Sequence, residues 1–531
     1  MLALPAGISA QVPGALQRPG GLLEDARIAA LRQRIRSHAL STKPSDISRL
    51  AAQGKPLQPS TSEGVKKKPA EASKPVSKPM ATGPAKPPQQ QNASADAKKK
   101  VDPPPAPHAD SRASETTASN SQRTPMLSRP QAPPRPHAPP LPPGYHPVVR
   151  VLAPGRLDWT FVVSQQSLDP APTALTTGYV AARQSYELYV PPGYNPRQAY
   201  PLILQVNTAP RSDAWAHWQR TCQTRRVLMA GVHNAGNDVP MALRARIVLD
   251  VLDDVRHRFH IDPDRTYITG MSGAGHAASS IAFALPELFG GHIAICGSWN
   301  LRAEQMLRQR VAERLSVAIL TGTADFNRPE LEREFFPILR DQHVRAHLAV
   351  YPGIGHAYPS NAQLDQVFQW LEAGLPQRRL LGSLFPASRL TTAASPEEWS
   401  TAVLLEAAQR MEMPGGEASG LFELQAVADR WRGLPAAEMA QSLLHEFDAS
   451  SPVPWKEIYR TERLNFRYLQ SKMFDGIVNS APPPGYSVPR INLLTIAIAL
   501  WQEVHDLAPA NSPIATEASA RLAALRKEAG S

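Results

Sequence analysis

The sequence predicts an α/β fold with a doubly wound, mostly parallel sheet, preceded by a disordered Pro/Lys-rich tail and followed by a small all-α domain. Three observations predict it. Apolar runs alternate with amphipathic helical patterns from about residue 178, strand signals end after about residue 378, and the start of the chain is low in complexity. The predicted domains are residues 1–147, 148–377 and 378–531.

The tail differs from the rest of the chain in composition and charge. It holds 26 of the 54 prolines and 21 Lys and Arg residues against 9 Asp and Glu, so it accounts for the formal net charge of +11. Within the tail, a short helix is predicted at 21–39. Residues 41–147 bury too little apolar surface to offset chain entropy. Two interpretations stay open: a solvated spacer, or a basic contact with a polyanion such as nucleic acid, anionic lipid or cell wall.

Cysteine content and the N-terminus bear on the compartment. Cys222 and Cys296 are too few for a disulfide scaffold, and both are predicted to be buried thiols. The N-terminus lacks the basic region of a signal peptide, and no run reaches the roughly 20 apolar residues of a membrane span. The localisation stays open between a bacterial cytoplasmic protein and an exported one with a misassigned start codon.

Strands and helices are predicted in turn through the middle domain. The strands are 186–190, 201–206, 227–232, 266–269, 292–296, 317–320 and 346–351. The helices are 213–226, 241–259, 273–285, 301–315, 329–340 and 364–375. Ligands of such a sheet bind beyond the carboxyl ends of its strands, so candidate site residues are sought there.

Ser272 is the serine best placed for chemistry. Gly-x-Ser also occurs at Gly7–Ser9 and Gly485–Ser487, but only Ser272 follows a predicted strand and opens a helix. That context predicts a nucleophile elbow, a strained turn that places the hydroxyl at a helix N-terminus. Gly270 supplies the small residue at position −2, whereas position +2 is Ala274 instead of the usual glycine.

An acid and a base follow in the chain order that such a nucleophile needs. Asp325 comes five residues after a predicted strand ends at Leu320, and His356 comes five residues after another ends at Tyr351. Taken singly, a helix cap and a loop histidine are the better interpretations. Because all three residues fall at one sheet edge, we expect Ser272 as nucleophile, Asp325 as acid and His356 as base.

These motifs resemble a known family. Residues 183–375 are similar to the bacterial esterase branch of the α/β-hydrolase superfamily, with its polyhydroxybutyrate-depolymerase-like, feruloyl-esterase-like and prolyl-oligopeptidase-like proteins. The segments that carry the resemblance are Tyr186–Tyr194, Tyr267–Gly275, Gly322–Asn327 and Tyr351–His356. The resemblance covers a little over a third of the chain and implies the same three roles for Ser272, Asp325 and His356.

The oxyanion hole departs from the family pattern. One donor is expected to be the backbone N–H of Gly273, directly after the nucleophile. Many relatives have His-Gly in the loop after the strand 201–206, where this chain has Asn-Thr-Ala-Pro-Arg. The backbone N–H of Thr208 or Ala209 is the expected replacement, and a missing donor would cost about 10²–10³ in rate.

Other polar and aromatic residues near this edge have two interpretations each. Substrate-pocket candidates are His233, Asn234, Asn237 and His276, and the alternative is a satisfied loop network or packing. Pocket lining is also open for three tryptophans, for which core packing is favoured: Trp215, Trp218 and Trp299. The sequence has no Cys/His cluster with zinc spacing and no phosphate loop, so it predicts no metal or organic cofactor.

The C-terminal region is predicted to be all helical. The helices are 396–411, 418–431, 435–447, 456–476, 491–507 and 513–527. The stretches around Pro435 and Pro513 resemble each other, each with a helix, a Pro-marked turn and an Ala/Leu-rich helix. They are similar to tetratricopeptide-like units. Binding of a protein partner and simple packing against the middle domain both stay open.

Two functions compete at this point. The first is a serine hydrolase that cleaves a small-molecule or polymer ester through an acyl-enzyme on Ser272; a peptidase ranks lower because no propeller-like gating domain is predicted. The second is a catalytically weak or inactive hydrolase scaffold that binds through the helical domain and basic tail. An accessible nucleophile favours the first, and a sealed one favours the second.

Overall fold

A computed structural model of the 531-residue chain describes seven stretches. They are residues 140–152, 157–163, 171–384, 396–413, 415–451, 453–481 and 488–530. The predicted helix at 21–39 and the low-complexity residues 41–139 lie outside them. Within the seven stretches, no helix has the length and apolar character needed to cross a bilayer.

Eight strands form one sheet, in the order β1-β2-β4-β3-β5-β6-β7-β8. Their bounds are β1 Gly144–Arg150, β2 Ser185–Val190, β3 Tyr200–Val206, β4 Leu228–Val232, β5 Ile261–Met271, β6 Gly291–Ile295, β7 Ser316–Gly322 and β8 Arg345–Tyr351. β2 is antiparallel to β1 and β4, and the strands from β3 to β8 are parallel. This is the strand order of the α/β-hydrolase fold, which confirms the predicted doubly wound, mostly parallel sheet.

The first strand lies partly inside the range assigned to the tail. β1 contains Pro147, and its register shifts between His146 and Val149. Proline and a bulge are tolerated at a sheet edge, where one side of the strand needs no partner. The proline also makes the segment resemble linker in the sequence.

The central strands feed two apolar cores. Leu202 and Leu204 of β3 belong to the cluster on one face of the sheet, and Ile203 between them belongs to the cluster on the other. All three side chains are fully buried. Burial on both faces explains why these parallel strands are continuous apolar runs in the sequence.

Eight helices accompany the sheet among the described residues. They are α1 Ala214–Arg225, α2 Met241–Arg258, α3 Gly273–Ala284, α4 Gln305–Arg314, α5 Arg328–Glu330, α6 Phe336–Asp341, α7 Asn361–Ala373 and α8 Leu375–Leu384. A π-helical turn, Leu331–Phe335, joins α5 to α6, so the helix predicted at 329–340 is not regular throughout. α8 is an element that the periodicity of the sequence did not indicate.

Six further helices follow. They are α9 Pro396–Glu412, α10 Glu417–Arg430, α11 Pro435–Ser450, α12 Trp455–Val478, α13 Arg490–Leu507 and α14 Pro513–Ala529. Two groups of three, α9–α11 and α12–α14, are centred on two different apolar clusters, and Trp455 at the start of α12 belongs to the cluster of the first group. The similar stretches around Pro435 and Pro513 each join the second and third helix of a group. The likeness to tetratricopeptide units stays a prediction.

Ion pairs of two buried arginines join α4 to both groups. Arg310 lies 3.1 Å from Glu423 of α10, and Arg308 lies 2.6 Å from Glu462 of α12. Both arginines are 3% exposed. In the Arg310–Glu423 pair both side chains are buried, and removing one partner of such a pair typically costs about 3–5 kcal/mol because it leaves the other charge uncompensated. The charges on α4 therefore fix the helical groups against the sheet region.

Candidate active site

Ser272 lies in the sharp turn between β5 and α3. Its φ of 54° and ψ of −128° are a strained combination for a residue with a side chain. Its N–H donates to the Ile295 carbonyl of β6 at 2.8 Å, and its own carbonyl accepts the His276 N–H at 3.1 Å. The backbone is thus fixed on both sides of the strained residue, in the strand–turn–helix form of a nucleophile elbow.

Close backbone approach at this turn depends on two glycines. A Cβ at Gly270 would overlap the carbonyl of Ala274, and a Cβ at Gly275 would overlap the carbonyl of Gly297. The methyl group of Ala274 is fully buried and accommodated. The residue that must be small on the helix side is therefore Gly275, one position later than the position +2 considered in the sequence.

The predicted acid and base form a hydrogen-bonded pair. His356 Nδ1 lies 2.8 Å from Asp325 Oδ1. The other carboxylate oxygen accepts the Thr321 hydroxyl at 2.7 Å, and the Asn327 N–H donates to Oδ1 at 3.1 Å. Burial acts to raise the pKa of Asp325, but these hydrogen bonds outweigh it and hold the pKa below its usual value. An ionised carboxylate accepts from Nδ1–H, which leaves His356 Nε2 as the proton acceptor.

An aromatic ring holds the imidazole of His356. Phe326 directly follows the acid, and its ring stacks on that of His356 with centroids 4.2 Å apart and planes 21° apart. The His356 side chain is 21% exposed, and Ser272 is half-buried. The imidazole of His356 is therefore oriented from two sides while part of its ring stays accessible.

The end of β6 connects the serine to the acid–base pair. The Ile295 carbonyl accepts the Ser272 N–H. The next residue is Cys296, whose Sγ lies within 4.8 Å of a carboxylate oxygen of Asp325 and of a ring nitrogen of His356. The structure thus brings the three predicted residues to one sheet edge. The Ser272 hydroxyl makes no hydrogen bond to any described residue; such contacts are often long until substrate binds.

The loop after β3 is tied down through its carbonyl groups. The Asn237 N–H donates to the Thr208 carbonyl at 2.8 Å, and the Asn234 N–H donates to the Pro210 carbonyl at 2.6 Å. Among the described residues, the N–H groups of Thr208 and Ala209 have no acceptor. Both predicted donors of this loop are therefore free to bind a developing negative charge.

The elbow offers a third free donor. The Gly273 N–H stands at the first position of α3, where a helix has no internal acceptor, and it donates to no described residue. A Cβ at Gly273 would lie 2.6 Å from the Asn237 Oδ1, so the loop after β4 packs directly against the elbow. The amide side chain of Asn237 is exposed there.

The other three substrate-pocket candidates, His233, Asn234 and His276, differ in their surroundings. His233 is 6% exposed, and both of its ring nitrogens are satisfied by backbone, the Ser212 N–H at 2.9 Å and the Pro147 carbonyl at 3.1 Å. Asn234 has a φ of 59° and occupies a turn. His276 Nε2 is buried and has no hydrogen-bond partner among the described residues.

His276 is held neutral by its position. Burial lowers its pKa to about 4, and the charges of Arg244 and His356 act in the same direction. Its ring lies 5.6 Å from the ring of Trp299, which is 45% exposed. By contrast, Trp218 is fully buried and donates to Gln205, as core packing predicts.

The donor set does not suit a resident metal. Cys296, Asp325 and His356 are the cluster of potential metal ligands found among the described residues. A cation between the last two would have to replace their hydrogen bond. Burial raises the pKa of the Cys296 thiol well above its usual value, so the thiolate that metals prefer is disfavoured.

Comparisons with known proteins give matches in structure alone. No family model and no curated protein matches the chain. A thermostable esterase is 18% identical, with 37% of this chain and 61% of that one covered and a TM-score of 0.29. An S-formylglutathione hydrolase from Staphylococcus aureus is 15% identical, with 38% and 96% covered and a TM-score of 0.29.

A poly(3-hydroxybutyrate) depolymerase from Bordetella parapertussis is 19% identical, with 38% of this chain and 87% of that one covered and a TM-score of 0.27. The chain thus spans about three fifths of the thermostable esterase and most of the other two. Each match covers less than two fifths of this chain. The α/β-hydrolase fold of this chain is established by the order and direction of the strands in its sheet.

Proposed function

We propose that this protein is a serine hydrolase that cleaves carboxylic esters through an acyl-enzyme on Ser272. The observation that carries the proposal is the 2.8 Å hydrogen bond between His356 Nδ1 and Asp325 Oδ1, at the sheet edge where Ser272 is strained. A carboxylate on Nδ1 selects the tautomer whose Nε2 takes a proton, and it stabilises the imidazolium that results. The partial exposure of Ser272 and His356 favours an open site over a sealed scaffold.

The first half of the reaction forms the acyl-enzyme. Ser272 Oγ attacks the ester carbonyl carbon and its proton passes to His356 Nε2. The carbonyl oxygen becomes an oxyanion, which the N–H groups of Gly273 and of Thr208 or Ala209 bind. When the tetrahedral intermediate collapses, the bond to the leaving oxygen breaks and His356 returns its proton to the alcohol.

The second half releases the acid. Water enters where the alcohol left, His356 takes a proton from it, and the hydroxide adds to the acyl carbon. Collapse of this second intermediate breaks the bond to Ser272 Oγ, which recovers its proton. We propose an ester over a peptide as substrate because an ester carbonyl lacks the amide resonance that makes a peptide carbonyl resist nucleophilic attack.

The experiment that tests the proposal is fluorophosphonate labelling, with the adduct located by peptide mass spectrometry. We expect an adduct on Ser272 in the wild-type protein and none there in Ser272→Ala, together with loss of ester hydrolysis. Ser279→Ala is the matched control, because Ser279 lies near the middle of α3 and is fully buried. A folded wild-type protein without adduct would overturn the proposal and favour the binding scaffold.

A further inference from the structure

Arg244 stands at the junction of three loops. Its guanidinium donates from each of its three nitrogens to a different carbonyl: Nε to Ala235 at 2.7 Å, Nη1 to Gly273 at 3.0 Å and Nη2 to Asn207 at 2.8 Å. These carbonyls belong to the loop after β4, the elbow and the loop after β3. One side chain of α2 thus connects the backbone segments that surround Ser272.

The environment of Arg244 is unusual for a buried charge. The side chain is 5% exposed, and no described carboxylate forms an ion pair with it. Burial lowers its pKa to about 10, which the nearby Asp238 partly offsets, so it is still protonated at neutral pH. Three carbonyls accept its hydrogen bonds, but a buried cation without an ion pair still carries a desolvation cost.

The contact between Arg244 and the Asn207 carbonyl also sets the orientation of the next N–H, that of Thr208. In a trans peptide the N–H points opposite to the preceding carbonyl. The Asn207 carbonyl faces Arg244, so the Thr208 N–H is directed away from Arg244. A charged donor on that carbonyl also polarises the peptide and strengthens its N–H as a donor.

We propose that Arg244 is a positioning residue that fixes and polarises the Thr208 N–H as the second oxyanion donor. The inference rests on the proposed function of Ser272, and it explains how the loop works without the His-Gly pair of the family. Arg244 does not touch the substrate. Its effect is exerted through the carbonyl of Asn207 and, at the elbow, through that of Gly273.

Arg244→Lys separates charge from geometry, since lysine keeps the charge but has a single nitrogen and no planar fork. For p-nitrophenyl butyrate we expect kcat to fall about ten- to a hundredfold, less than for outright loss of a donor, with KM changed by less than about threefold. Binding of trifluoroacetophenone, which forms an oxyanion on the serine, should weaken by the same factor as kcat/KM.

Arg256→Lys is the matched control. Arg256 is on the same helix, and its hydrogen bond goes to the Leu288 carbonyl, outside the site. We expect this variant to keep its kcat and its affinity for trifluoroacetophenone. An unchanged kcat in folded Arg244→Lys would overturn the proposal, and so would an effect on KM alone or an equal loss in Arg256→Lys.

A measurement on the wild-type protein covers the case in which Arg244→Lys does not fold. With ¹⁵N-threonine labelling, the Thr208 amide proton should shift downfield when trifluoroacetophenone binds, and an unchanged resonance would overturn the proposal. Failure here is distinguishable from failure of the proposed function. If fluorophosphonate labels Ser272 but Thr208 and Arg244→Lys are unaffected, only the role of Arg244 is wrong.

Discussion

Two combinations of serine and histidine in this molecule differ in what surrounds them. Ser279 Oγ lies 2.8 Å from His292 Nε2, and His292 Nδ1 lies 3.1 Å from the Ile268 carbonyl. Both side chains are fully buried between α3 and β6. Ser272 and His356 instead lie in loops at the carboxyl edge of the sheet, and His356 Nδ1 bonds a carboxylate. The residue types are the same, so the surroundings decide what each can do.

The partner on Nδ1 is the decisive difference. The Ile268 carbonyl can only accept, so it fixes the tautomer of His292 but offers no charge to stabilise an imidazolium. Burial lowers the pKa of His292 to about 4, and the ring stays neutral. Asp325 keeps a pKa below its usual value and stays ionised beside His356. A base that works at neutral pH needs both this charge and access to solvent.

Replacing the acid should have the largest effect. In Asp325→Asn we expect kcat for ester hydrolysis to fall about 10⁴-fold, because the amide no longer imposes the tautomer and no longer stabilises the imidazolium. The measurement is steady-state hydrolysis of p-nitrophenyl butyrate, with the melting temperature confirming the fold. A folded variant with more than about a tenth of wild-type kcat would contradict the proposed role of Asp325.

His292→Gln is the control that sharpens the comparison. Glutamine retains a side-chain amide that hydrogen-bonds Ser279, and His292 has no role in the proposed reaction. We expect kcat to stay within about threefold of wild type. If turnover were lost in a folded His292→Gln protein, the two combinations would not differ in the way proposed here.

Most of the fold could be predicted because its signals are local. The central strands are apolar on both faces, as Leu202, Ile203 and Leu204 illustrate, and the helices show clear periodicity. Residues 144–147 of β1 fall within the predicted tail because the sequence there is Pro-rich, and an edge strand tolerates its proline. The π-helical turn at Leu331–Phe335 has no sequence signal comparable to a proline or glycine.

The candidate site could be predicted only in part. Ser272, Asp325 and His356 each follow a strand, and parallel strands bring their carboxyl ends together. Arg244 was missed because an arginine in an amphipathic helix is expected to face solvent, and its three acceptors are carbonyls of loops without periodicity. Phe326 had one available signal, its position directly after the predicted acid.

The buried histidine should also leave a pH signature in stability. The pKa of His292 falls from 6.5 in the unfolded chain to about 4 in the fold, so on acidification the unfolded chain takes up the proton first. The stability that this histidine contributes is complete above pH 6.5 and is lost as the pH falls towards 4. The loss amounts to about 3 kcal/mol.

Chemical denaturation at several pH values measures this effect. The free energy of unfolding of His292→Gln should change less than that of wild type across this pH range, by the same amount of about 3 kcal/mol. His276, whose pKa is lowered in the same direction, is present in both proteins and cancels. Parallel pH curves for the two proteins would show that His292 is not the neutral, sealed residue described here.

The smallest expected effect concerns the ring that holds the base. Phe326→Leu removes the stack on His356, which is worth about 1 kcal/mol for aromatic pairs, so kcat should fall about fivefold while KM changes little. Phe326→Tyr keeps the stack and should restore most of the rate. Equal losses in both variants would mean that packing of the loop matters and the stack does not. A full rate in Phe326→Leu would mean that the Asp325 hydrogen bond alone orients His356. Besides burial, His356 would then differ from His292 only in having a carboxylate on Nδ1.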